Sequence, residues 1–298
     1  MAEISVGQAV GAGFRLIRRE PKAVLGWALL YLAFAAAMMA LFGGVFAQFF
    51  AALSQDAEPD AAQLMGLNAQ MMALQPLVTL GGVVLQTVLM AAVFRAVLQP
   101  EERRWAYLRL SGQELWLGLV YLVLSFGLAI LAMMLLFPIV GLAVFVGYLF
   151  REALGPWGIA LIGGPVVAAF MGGLIWLMLR LCLAYPMSFA DRNFRLFESW
   201  TLTRGHAGRL FLVFLLAVLT ALAIQLVGFL IGAGAVVASI GPDWKSLMAG
   251  DPLVLFRIGG PLIAAIVVVG SVLSAVVAVI TVAPLADVYR QLTASSDA

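Results

Sequence analysis

From Ala23 to Ala52 the chain carries no charged residue, and comparable apolar runs recur five more times. About 20 consecutive apolar residues are enough to cross a bilayer as a helix. These runs constrain the fold more than any other feature. The expected spans are about 23–52, 76–98, 115–137, 157–184, 210–240 and 258–284. Composition agrees: 64% of the residues are hydrophobic and 11% charged, with a mean hydropathy of +1.09. Soluble domains average about 45–50% apolar and about 25% charged residues. The expected class is all-α, a polytopic membrane helix bundle forming one transmembrane domain over residues 1–298. The N-terminus shows no short apolar core followed by a small-residue cleavage site, so the first span is expected to act as an uncleaved insertion signal.

Prolines and glycines mark the expected interruptions. Pro76 suits the first turn of the second span, with residues 53–75 read as an acidic loop (Asp56, Glu58, Asp60) and a short surface helix. The run from Leu115 to Phe150 is too long for one perpendicular crossing. Pro138 and Gly141 are expected to end a helix near Phe137, leaving an interfacial or re-entrant extension. Gly43-Gly44 and Gly163-Gly164-Pro165 are candidate kinks. Gly172-Gly173 would admit a neighbouring backbone.

Between the runs lie basic islands. In residues 4–19, Val6, Val10, Phe14 and Ile17 share one helical face and Gln8, Arg15 and Arg19 the opposite one, the pattern of an in-plane amphipathic helix. The stretch from Ala190 to Val213 is read as a second such helix feeding the fifth span. Glu101 to Arg109 forms a third island. Phe14, Leu16 and Arg18 align with Trp200, Leu202 and Arg204, each followed by a break and a long apolar run. Tyr107, Leu108 and Arg109 supply a looser third copy. Alternate spans finish alike, at Phe94-Arg95, Leu179-Arg180 and Tyr289-Arg290. A threefold repeat of surface helix plus hairpin is therefore expected, over residues 1–98, 99–186 and 187–298.

Charge asymmetry gives an orientation. Of the 17 Lys and Arg residues, all but Arg151, Lys245 and Arg257 fall on one side of this arrangement. By the positive-inside rule that side is cytoplasmic, and both termini lie there. The expected location is a bacterial-type inner membrane.

Chemistry is sparsely marked. There is no phosphate-cradling GxxxxGK[ST] loop, no HExxH and no GxSxG. One histidine, His206, and one cysteine, Cys182, supply neither a conventional metal cluster nor an intrachain disulfide. No pair of carboxylates sits inside a span to divide acid and base roles. No cofactor, metal or nucleic-acid partner is expected. The functional candidates are polar groups in or beside spans. Gln86 and Gln225 are pathway candidates, read first as interhelical hydrogen-bonding groups. Arg18, Arg95, Arg180, Glu198, Trp200, Arg204, Arg209 and Arg290 are lipid-headgroup or structural candidates. The boundary arginines are expected to snorkel, or to pair with Glu198 or Asp287. His206 is placed in the turn before the fifth span.

The segment Phe197-Glu198-Ser199-Trp200-Thr201-Leu202-Thr203-Arg204-Gly205, with Ile4-Ser5-Val6-Gly7 and Phe14-Arg15-Leu16, resembles a bacterial membrane family. That family includes the membrane domain found ahead of some glycerophosphodiester phosphodiesterases, and related six-span proteins. The resemblance implies a membrane helix fold. It brings no catalytic barrel, since the spans occupy the chain. The function expected is a non-catalytic membrane protein that interacts with lipids or serves membrane homeostasis, its candidate partners being membrane lipids, anionic ones among them, a protein or a second copy. The rivals are a transporter or lipid translocator, a scaffold and, last, an intramembrane enzyme.

Overall fold

A backbone among apolar groups must satisfy its own N–H and C=O groups, and a helix does this within one segment. The computed structural model is helical accordingly. It describes residues 4–53, 61–101, 105–109, 111–151, 155–240 and 252–294. Among these there is no strand. The helices are α1 (Val6–Arg19), α2 (Pro21–Leu53), α3 (Ala61–Leu98), α4 (Gly112–Leu149), α5 (Gly158–Leu181), α6 (Ala184–Asp191), α7 (Glu198–Leu202), α8 (Ala207–Ile240) and α9 (Pro252–Ala294). Six stretches are long and apolar enough to cross a membrane: Pro21–Phe49, Ala61–Leu98, Gly112–Leu149, Gly163–Asp191, Ala207–Ala238 and Leu262–Ala294. The acidic loop at 56–60, Arg103, Arg104 and the 241–245 loop lie outside the described residues.

Several expected breaks are absent. Pro76 lies inside α3, so the Met/Leu segment before it belongs to the helix rather than to a separate surface helix. Pro138 lies inside α4, which runs unbroken for 38 residues with no re-entrant turn. At about 1.5 Å per residue that is roughly 57 Å, well beyond a bilayer core of about 30 Å. Pro165 is likewise inside α5, and Pro284 is buried inside α9, which continues past Asp287 and Arg290. Proline removes one backbone donor and bends a helix. In long apolar helices the remaining hydrogen bonds carry the segment through.

The 190–213 stretch is not one amphipathic helix. Arg192 ends α6 in the left-handed conformation at φ 52°. A non-helical segment follows, then the five residues of α7, then Gly205 at φ +85°. Only at Ala207 does α8 begin. The left-handed residues reverse the backbone within a few positions, which a single helical period cannot describe.

The chain divides into two units by its contacts. One comprises Met1–Val6, Leu110–Val213 and Val288–Ala298. Here α4 packs against α5 and α6, with Val120, Leu124, Leu181, Ala184 and Leu196 forming a buried cluster. Glu114 starts α4 by accepting the Ser111 backbone N–H at 2.7 Å, the returning arm of a capping box.

The other unit comprises Gly7–Arg109 and Phe214–Asp287. There α2 packs against α3, and Trp27, Leu89, Phe94, Val279 and Ile280 are buried. The face of α1 that packs inward is Ala9, Ala12, Gly13 and Leu16, beside the apolar face of Val6, Val10, Phe14 and Ile17. Small residues permit close approach; of the bulky stripe, Val6, Val10 and Ile17 are half-buried and Phe14 is 43% exposed.

Candidate functional site

Trp176 and Arg180 are four residues apart on α5, so their side chains share a face. The short helix α7 lies beside them. Ser199 and Thr203 are also four apart, and both are fully buried. The Ser199 hydroxyl donates to the Arg180 backbone carbonyl at 2.8 Å, and the Thr203 hydroxyl lies 3.4 Å from the same oxygen. Helix ends leave their last carbonyls short of partners, and these two hydroxyls serve that need at the end of α5. With α7 fixed in this way, Trp200 falls over Arg180. The guanidinium carbon lies 5.4 Å from the Trp176 ring centroid and 5.6 Å from that of Trp200. The two indoles meet edge to face at 5.1 Å. Both distances to the charge are within the roughly 6 Å range of cation–π attraction.

The rings address the charge of the guanidinium. Nε and Nη1 of Arg180 are buried and have no hydrogen-bond partner among the described residues. The Trp rings remain open on their outer sides, at 45% and 37% exposure. The arrangement is a cation held in an aromatic bracket at a helix end, with donor capacity unused. It offers electrostatic and hydrogen-bonding recognition of an anion. It marks no nucleophile, since the Ser199 hydroxyl is committed to the Arg180 carbonyl.

Of the residues expected from sequence, only Arg180 and Trp200 are brought together here. Glu198 is exposed and makes no ion pair with Arg180. Arg18, Arg204, Arg209 and Arg290 are exposed. Half-buried His206 has Nδ1 3.2 Å from the Arg204 carbonyl. Arg95 is 2% exposed and donates to the Tyr107 carbonyl at 2.5 Å, a buried contact to a turn rather than a reach toward headgroups. Asp287 is buried, and Arg15 lies beside its carboxylate at 3.8 Å. Gln86 is half-buried and Gln225 exposed; neither takes a hydrogen-bond partner among the described residues. Those residues contain no group of three or more His, Cys, Asp or Glu side chains placed to hold a metal ion.

Trp176 is not among the candidates the sequence offers, and Ser199 and Thr203 enter there only within the 197–205 segment. Their two i,i+4 spacings were visible, but neither spacing names its tertiary target. Comparison with family models, curated proteins and solved structures gives no match.

Proposed function

We propose that this chain is a non-catalytic, multi-pass membrane protein that engages the lipid phase through interfacial segments. In this reading it resides in a bacterial-type cytoplasmic membrane with both termini on the cytoplasmic side. Its kinship to the membrane domain associated with glycerophosphodiester phosphodiesterases, and its threefold repeat, belong to the same proposal.

The observation that carries it is the division of labour around α1. The small-residue face is buried, Phe14 is exposed on the bulky apolar side, and Arg18 and Arg19 are exposed. A helix with one face packed on protein, one apolar face open and a basic edge suits the boundary between acyl chains and anionic headgroups. The long helices fit the same setting, with Leu, Phe, Met and Val prominent on their exposed faces. The translocator reading requires polar groups converging within the spans. Gln86 and Gln225 show no such convergence among the described residues.

Spin labels test this. Phe14→Cys and Arg18→Cys, each in a Cys182→Ser background, are labelled after reconstitution into vesicles containing phosphatidylglycerol. The label at 14 should collide with oxygen dissolved in the acyl region, and the label at 18 with a water-soluble nickel complex. A water-exposed label at 14 would overturn the reading.

A further inference from the structure

We infer that the Arg180 bracket is a binding site for one phosphate group, carried by the headgroup of an anionic phospholipid. This deepens the proposed lipid function and rests on that reading for the source of the phosphate.

Three features of the site converge. The first is unsatisfied donor capacity. A buried cationic group without acceptors is unfavourable, and an anion relieves it. Nε and Nη1 of Arg180 are in that condition, and Glu198, the acid carried on the same short helix as Trp200, is exposed and does not reach them. Guanidinium N–H groups lie in a plane and match the oxygens of a phosphate better than a single carbonyl. The second is orientation. Trp176 and Trp200 hold the charge from the side of their rings; Nε and Nη1 are covered by the protein, which leaves the open Nη2 as the point where a phosphate attaches. Ser199 and Thr203 pin α7 to the Arg180 backbone, so the bracket is formed before any ligand arrives. The third is position. Arg180 stands in the last turn of α5. Trp176 on α5 and Trp200 beyond it expose apolar ring surface beside the cation. A phosphate tethered to acyl chains matches both halves of that surface, whereas a free phosphate matches only the cation. The bracket already holds a cation, so a choline group has no place between the rings.

The experiment uses the full chain in detergent. Phenylglyoxal modification of Arg180 is followed by peptide mass spectrometry in the presence of short-chain phosphatidylglycerol, of diacylglycerol with the same chains, or of inorganic phosphate. Phosphatidylglycerol should slow modification of Arg180 by about tenfold, the scale of a charge-assisted hydrogen-bonded contact. Diacylglycerol should leave it unchanged. Equal slowing at exposed Arg151, which is not among the headgroup candidates, would show general screening and overturn the site. Protection by inorganic phosphate to the same extent would reassign the site to free phosphate and overturn the lipid source. No protection by either phosphate would overturn the proposal altogether. Because these arms use the unmodified protein, they do not depend on a variant folding.

Lipids retained in native mass spectrometry separate this inference from the broader function. The wild-type chain should prefer phosphatidylglycerol to phosphatidylcholine, and Arg180→Gln should retain fewer molecules of it. Undiminished retention by a folded Arg180→Gln protein would overturn the site while leaving the lipid reading intact. Loss of the preference in the wild-type chain would overturn both.

Discussion

Gly13 lies against the backbone of Ile280, so closely that a Cβ built on the glycine would stand 2.9 Å from the Ile280 Cα. The Val279 carbonyl oxygen would be 3.2 Å away. Neither atom can move without shifting α9. Gly13→Ala is therefore expected to lower stability by about 1–3 kcal/mol, the usual cost of overpacking. Gly7, on the same helix, has nothing within 4 Å of the corresponding position. There Gly7→Ala should raise stability by up to about 1 kcal/mol through helix propensity alone. Thermal unfolding in one detergent checks the contrast. Equal effects of the two substitutions would show that α1 does not pack as described.

The turn at residues 105–107 is held from two helices. Trp27 of α2 donates its indole N–H to the Ala106 carbonyl at 2.8 Å, and Arg95 of α3 donates to the next carbonyl, that of Tyr107. The turn needs such support because Ala106 and Tyr107 both have positive φ, 50° and 56°. Left-handed backbone costs a non-glycine residue about 1–2 kcal/mol. Trp27→Phe should cost about 1 kcal/mol, and Arg95→Met more, about 1.5–3 kcal/mol, since its bond is charge-assisted. Ala106→Gly should stabilise by up to about 1 kcal/mol, the relieved strain being partly offset by greater freedom of the unfolded chain. Chemical unfolding of the three variants gives the order. Stabilisation by Trp27→Phe would be incompatible with the clamp.

The six apolar helices were legible because hydropathy is additive along a sequence and needs no partner. Pro76 and Pro138 were misread because a rule learned in water treats proline as a helix boundary, a start at Pro76 and an end before Pro138. Inside a long apolar helix, ending there would expose backbone groups with nothing to satisfy them. The 190–213 stretch was misread because its basic and aromatic residues recur at helical spacing, while Arg192 and Gly205 break the backbone between them. The candidate site was half legible. Arg180 and Trp200 could be named, but aromatic and basic residues are common at membrane boundaries. What joins them is the carbonyl of Arg180, whose hydroxyl partners lie 19 and 23 residues downstream.

Gln225 sits within α8, exposed between Leu222 and Leu226, themselves 55% and 58% exposed. Its amide makes no hydrogen bond among the described residues, so Gln225→Leu removes no intramolecular contact. Stability of the folded chain in detergent should be unchanged within about 0.5 kcal/mol, the range of substitutions that touch no such feature. A loss beyond about 1 kcal/mol would reveal an internal partner and revive the idea of a polar path through the spans.

Ser199 and Thr203 address one acceptor, and this makes their contributions interdependent. Ser199 is the better placed, at 2.8 Å from the Arg180 carbonyl. The Thr203 hydroxyl has a single hydrogen and two acceptors within reach, the Arg180 carbonyl at 3.4 Å and the Trp200 carbonyl at 3.2 Å. When Ser199 is replaced by alanine, Thr203 can turn its hydrogen to the vacated acceptor, so the single substitution should cost about 0.5–1 kcal/mol. Thr203→Val keeps its shape and leaves the Ser199 bond, and should cost no more. Removing both hydroxyls strips the carbonyl of both donors within a fully buried contact, for which the penalty is about 1–3 kcal/mol. The double variant should therefore exceed the sum of the singles by about 0.5–1 kcal/mol. A double-mutant cycle from unfolding in detergent measures that excess. Strict additivity would mean that the two hydroxyls do not share the Arg180 carbonyl, and that α7 is fixed over Arg180 by other means.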